Sequence, residues 1–197
     1  MARLASDAAF CALLRCGVTR PAHTLLSGML VASTLAVADV SAQPVRAPAY
    51  AVVQVEGFDC GVAALATVLT LQGGREVIPG ALTKVLALTD TQRATVRERG
   101  YSLHELAEMA RAAGADATVQ RLGAQSLEQL PLPGLVHLSL PTGPHFSVVT
   151  EVVGDRVALA DPSRGFMVWP KAHFLAAWAP SGAGYTLTVT VDPDVSA

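Results

Sequence analysis

A chain of 197 residues, 51% hydrophobic and 15% charged, has enough apolar side chains for one domain with a sizeable core and is too apolar to be disordered. The formal net charge of -2, with no lysine-arginine run and no aromatic residues interleaved with basic ones, argues against nucleic acid as a partner. No internal repeat or low-complexity tract points to a solenoid or a linker.

Residues 1–42 read as an export signal. Arg3, Arg15 and Arg20 make the amino-terminal region positive, Leu25 to Ala38 is largely apolar, and Val40-Ser41-Ala42 is a small-residue cleavage pattern. Residues 43–197 are then a single domain delivered to the periplasm or the cell exterior, with membrane contact only through export. An uncleaved anchor is the alternative, although the apolar stretch is shorter than the ~20 residues of a spanning helix. Cys11 and Cys16 fall in the removed part, leaving Cys60 as the single thiol of the exported domain. An internal disulfide is impossible there, and an unpaired thiol in an oxidising compartment is a liability unless buried or used. Structural zinc would need further cysteines or a tight histidine cluster, and no phosphate loop or dinucleotide glycine pattern indicates a cofactor.

Gln43 to Ala49 contains Pro44 and Pro48 and reads as an extended lead-in, and Tyr50 to Val55 as a short strand. Next comes an apolar helix from Cys60 to about Gln72, with Asp59 as N-cap and Gly73-Gly74 as its stop. Cys60 sits in the first turn, where unpaired N–H groups and the helix dipole favour a thiolate, which makes it the candidate nucleophile. Gly61 leaves room for a backbone or a substrate to approach the sulfur, and the amide of Gln54 is a candidate oxyanion donor. A small buried hydrophobe at a helix start and a solvated loop glutamine are the alternative readings.

Pro79 opens a second helix, Gly80 to Leu88, and Ser102-Leu103-His104-Glu105 is a capping box opening a third that ends at Gly114. Between them Thr91 to Gly100 is polar and reads as an exposed, mobile run. Strand signals follow at Ala117–Leu122, Leu135–Leu140, His145–Val153, Val157–Asp161, Phe166–Trp169 and Tyr185–Val191, with short helical segments at Ala124–Leu130 and Pro170–Trp178. Helices first and an antiparallel sheet second define an α+β domain, with a cleft where a helix-borne thiol can meet a strand-borne base.

Four histidines lie in the exported part. His104 and His173 read as surface residues on helices and His137 as a core histidine. His145 opens a strand and Asp161 ends the next, so the two can be neighbours across a hairpin; on position alone, His145 is as well read as an ordinary residue.

Gln54, Asp59-Cys60-Gly61 with Ala63, His145-Phe146, Asp161-Pro162 with Gly165, then Phe174 and Trp178, in this order, resemble the bacteriocin-processing, double-glycine cysteine peptidase family over Val52 to Trp178. The resemblance implies a papain-like fold with a helical half packed on the sheet. It implies Cys60 as nucleophile, His145 as general base and acid, Asp161 as the residue orienting His145, and Gln54 with the Cys60 N–H as oxyanion donors. It further implies a peptide substrate cut beside small residues. Such peptidases are usually the amino-terminal domain of an ATP-driven exporter; an export signal without a transporter is similar to a stand-alone exported branch, some members of which serve secretion of surface fibres. A non-catalytic peptide-binding member and a thiol acyl or peptidyl transferase are the alternatives.

One register condition follows. A regular hairpin with a two-residue turn at Gly154-Asp155 puts Val148 opposite Asp161 and leaves His145 and Asp161 on opposite faces. A shared face requires a longer loop or a bulge near Gly154.

Overall fold

The computed structural model describes residues 51–192. The expected export signal, residues 1–42, and the lead-in Gln43–Ala49 lie outside them. Four helices come first: α1 (Cys60–Gly73), α2 (Pro79–Thr83), α3 (Asp90–Arg99) and α4 (Leu103–Ala112). Six strands follow, β1 (Ala115–Gly123), β2 (Gly134–Leu140), β3 (Gly143–Val153), β4 (Arg156–Asp161), β5 (Gly165–Pro170) and β6 (Ala183–Val191). A 3₁₀ segment, Ala124–Gln129, precedes β2, and helix α5 (Lys171–Trp178) precedes β6. The strands form one antiparallel sheet in the order β1-β6-β2-β3-β4-β5.

Helix α1 is apolar all round because it is covered all round: every residue from Cys60 to Leu69 is buried. It packs with α4 on one sheet face, formed by Leu135, Phe146, Val148, Ala160, Leu187 and Val189. Alternation sends Val136, Leu138, Val149, Val157 and Leu159 to the other face, where they meet Phe174 and Trp178 of α5. The sheet is therefore a shared wall between two apolar clusters. Gly74, at φ +66°, ends α1 in the left-handed conformation, and its N–H bonds to the Thr70 carbonyl.

Three segments depart from the sequence reading. Residues 51–55 form no strand: the Val52 N–H donates to Thr67 Oγ1 on α1 and the Gln54 N–H to the Pro162 carbonyl. α2 stops at Thr83 instead of reaching Leu88. The run expected to be mobile is α3, exposed on most positions but started by a full capping box of Thr89 and Gln92 and anchored by buried Val96. The Ser102–Glu105 capping box opens α4 as expected.

Candidate active site

Cys60 occupies the first position of α1 and is 9% exposed. Asp59 stands at the N-cap, but its side chain makes no capping hydrogen bond, contrary to the expectation from its residue type. The first N–H groups of the helix are therefore not taken up by the Asp59 carboxylate, and the one at Gly61 is among the groups that act on the Cys60 sulfur. Burial, opposed by a backbone hydrogen bond at Glu56, pushes the Asp59 carboxyl up. Gly61 serves close packing, and the segment it admits is the one whose backbone, at Phe146, reaches the Cys60 sulfur. A Cβ there would sit 2.9 Å from Leu106 Cδ1 and 3.0 Å from Phe146 Cδ2, so its lack of a side chain seats α1 against α4 and β3.

The register between β3 and β4 supplies the other half. The turn at Gly154-Asp155 is the two-residue one, pairing Val153 with Arg156, but the register shifts between Val149 and Glu151. Beyond this bulge Val148 faces Ala160, not Asp161, and His145 and Asp161 come to share a face. The irregularity thus lies at Thr150, a little further from Gly154 than the sequence suggested. The pairing reaches no further than Val148 with Ala160, so the start of β3 has an open edge. There a backbone hydrogen bond from Phe146 reaches the Cys60 sulfur, which is also hydrogen-bonded to His145.

His145 Nε2 donates to Asp161 Oδ2 at 2.9 Å, which leaves Nδ1 as the ring nitrogen facing the thiol. The Asp161 carboxylate is 2% exposed, and its second oxygen, Oδ1, accepts from the Ser163 N–H at 3.0 Å and the Ser163 hydroxyl at 2.6 Å. Gln54 is tied to this same turn by its N–H to the Pro162 carbonyl at 2.9 Å, and its side-chain Oε1 is buried with no hydrogen-bond partner. The four site residues expected from the sequence thus fall in one region, linked through α1, the β3 edge and the turn after β4. Ser163 was missed; the Asp-Pro-Ser spacing of an Asx turn was the available signal.

The charges are coupled. Burial opposes ionisation of the Cys60 thiol, but hydrogen bonds from His145 and from backbone at Phe146 and Gly61 outweigh it and lower its pKa. Burial likewise opposes the His145 cation, yet Asp161 and Cys60 raise it to about 9. Asp161 is brought down to about 2, its burial overcome by His145 and Ser163. These directions favour a thiolate-imidazolium pair held by a carboxylate.

A groove of about 1260 Å³ opens onto Cys60, walled by α3, the start of α4 and the Thr142-Gly143-Pro144 turn. His137 lines it rather than lying in the core, its ring edge-on to Phe146 at 5.2 Å between centroids, and burial lowers its pKa, aided by the charge of His145. His104 and His173 are exposed. Among the described residues no group of three histidine, cysteine, aspartate or glutamate side chains is placed to hold a metal ion.

A helix-borne thiol set against a histidine-aspartate pair on an antiparallel sheet defines a papain-like cysteine peptidase. The profile of the Peptidase C39 family matches residues 49–194, and the chain belongs to that family. It is 31% identical over 179 residues, 88% of this chain and 78% of the relative, to a probable functional amyloid protease, FapD, of Pseudomonas aeruginosa. A FapD of Pseudomonas fluorescens is 29% identical over 65% of this chain and 58% of its own length. In fold the chain is similar to the double-glycine motif protease of an AMS/PCAT transporter, solved with a leader peptide, with a TM-score of 0.59 and 21% identity over 75% of this chain and 96% of that one. The peptidase domain of Streptococcus ComA gives 0.58 and 19% over 72% and 98%.

Proposed function

We propose that this cysteine peptidase is exported and cuts a peptide or protein substrate beside small residues, in the service of a secretion or surface-fibre export system. The observation that carries the chemistry is the hydrogen bond of His145 Nε2 to the buried Asp161 Oδ2 at 2.9 Å, with the same imidazole acting on the Cys60 thiol and lowering its pKa. His145 takes the thiol proton and Cys60 attacks the peptide carbonyl. The oxyanion is held by the Cys60 N–H and by the Nε2 amide group of half-buried Gln54. Collapse expels the amine, which takes its proton from His145; His145 then activates water to release the acyl group. The relatives called functional amyloid proteases support the link to fibre export, and the signal-like residues 1–42 support delivery across the membrane.

The test is mass-spectrometric cleavage of a peptide library containing Gly-Gly and Gly-Ala sites, with the parent and Cys60→Ala compared under reducing conditions. Cleavage by the parent alone is expected. Silence from both, together with a folded parent whose Cys60 resists an alkylator, would leave a peptide-binding protein. Transfer of the acyl group to an added amine in preference to water would make it a transferase. Amino-terminal sequencing of the protein recovered from the periplasm or medium is expected to begin near Gln43.

A further inference from the structure

The Asp161 carboxylate is almost fully buried, and only one of its oxygens meets His145. A buried anion needs hydrogen bonds on both oxygens, and a free one would let the group rotate about its side-chain torsions. Both hydrogen bonds to Oδ1 come from one residue, Ser163, through its N–H at 3.0 Å and its hydroxyl at 2.6 Å. The backbone bond is an Asx turn that any residue after Pro162 can make. The hydroxyl bond depends on serine, or on threonine, at this position. The turn it closes is the one whose Pro162 carbonyl accepts the Gln54 N–H, and the Arg164 N–H bonds back to the Asp161 carbonyl. A single tight turn therefore orients the carboxylate behind the base and tethers the segment bearing the oxyanion residue.

We infer that Ser163 is a positioning residue for catalysis: its hydroxyl fixes the rotation of the Asp161 carboxylate, and through it the imidazole presented to Cys60. The inference rests on the peptidase reading above. It assigns no substrate contact to Ser163, which acts only through Asp161.

The experiment compares Ser163→Ala and Ser163→Thr with the parent in the full chain, measuring melting temperature, peptide cleavage and the pH profile of Cys60 alkylation by iodoacetamide. Loss of one charge-assisted hydrogen bond, with the backbone bond retained, is expected to lower kcat about tenfold in Ser163→Ala with KM within about twofold. Its alkylation midpoint is expected to move up toward that of an ordinary thiol, and Ser163→Thr to restore both. Alkylation needs no substrate, so it reads the thiol-imidazole pair even if the peptide library misses the cleavage site. A lower melting temperature with kcat and alkylation profile unchanged would overturn the inference and leave Ser163 a fold-stabilising residue. An alkylation midpoint that moves down would also overturn it, because the hydroxyl would then only be weakening the carboxylate. A parent whose Cys60 already titrates as an ordinary thiol would remove the peptidase reading and the inference with it.

Discussion

At the scale of single residues, the site is a set of largely buried charges whose members fix one another's protonation. His145 is raised to about 9 from an ordinary value near 6.5, so its contribution to stability is complete below 6.5 and lost as the pH rises through about 9. Asp161, lowered to about 2, contributes fully above its ordinary 3.8 and loses that contribution as the pH falls through about 2. The thiolate-imidazolium pair is formed between the lowered Cys60 pKa and about 9, so kcat/KM is expected to follow a bell whose alkaline limb falls near 9. Asp161→Asn removes the carboxylate that raises His145, and the alkaline limb of that variant is expected to move down. An unmoved limb would assign it to another group. Gln54→Ala is expected to lower kcat by ~10²- to 10³-fold with little change in melting temperature, read by steady-state cleavage and thermal unfolding side by side. An equal fall in both would make Gln54 a structural residue of its loop.

Elements show why some of this was legible in the chain and some was not. The helix that starts at Cys60 and the strands that carry His145 and Asp161 announce themselves through apolar runs, Gly74 and alternation, because burial dictates residue type there. The need for an irregularity in the β3-β4 hairpin followed from the parity of strand faces alone. Its seat at Thr150 did not, because a bulge is set by how two strands pair and not by the residue that bulges. Val52, Val53 and Val55 look like a strand, yet their segment spends its N–H groups on a threonine side chain and the carbonyl of Pro162. α3 was missed because its surface is polar, although Thr89 and Gln92 spell out its start. Gly61 is the element-scale constraint most open to test. Alanine there gains ~1 kcal/mol of helix propensity, but its Cβ meets buried Leu106 and the Phe146 ring, and overpacking of this kind costs ~1–3 kcal/mol. Leu106 has rotamers to yield; the Phe146 ring adjoins the backbone that bonds the Cys60 sulfur. Gly61→Ala is therefore expected to lower the melting temperature modestly and activity more, and full activity at a lowered melting temperature would show that Leu106 alone gives way.

In the whole molecule, the two apolar clusters share the sheet and divide the site between them. The cluster of α1 and α4 sets where the thiol meets the edge of β3, whereas the face packed under α5 is, by alternation, the one that carries His145, cross-strand from Leu138, and Asp161, two residues from Leu159. Trp178 is the natural probe of that division. It is 2% exposed, stacked on Phe174 at 5.7 Å between centroids, and its Nε1 donates to the Tyr185 carbonyl at 3.2 Å. Gly184 lies so close that any Cβ there would collide with the Trp178 carbonyl and indole, so the strand is shaped around this one side chain. Truncation leaves a cavity that the rigid sheet cannot close, at a cost of ~3–5 kcal/mol. That is a large share of the ~5–15 kcal/mol that holds a domain together, so Trp178→Ala is expected to unfold at a much lower temperature or denaturant concentration. In the cold, where the variant is still folded, cleavage per folded molecule is expected to stay within about twofold of the parent, since neither α1 nor the turn after β4 rests on the indole. A large loss of kcat in the folded variant would mean instead that strain runs along the α5 face of the sheet, from the indole to the end of the strands where His145 and Asp161 stand.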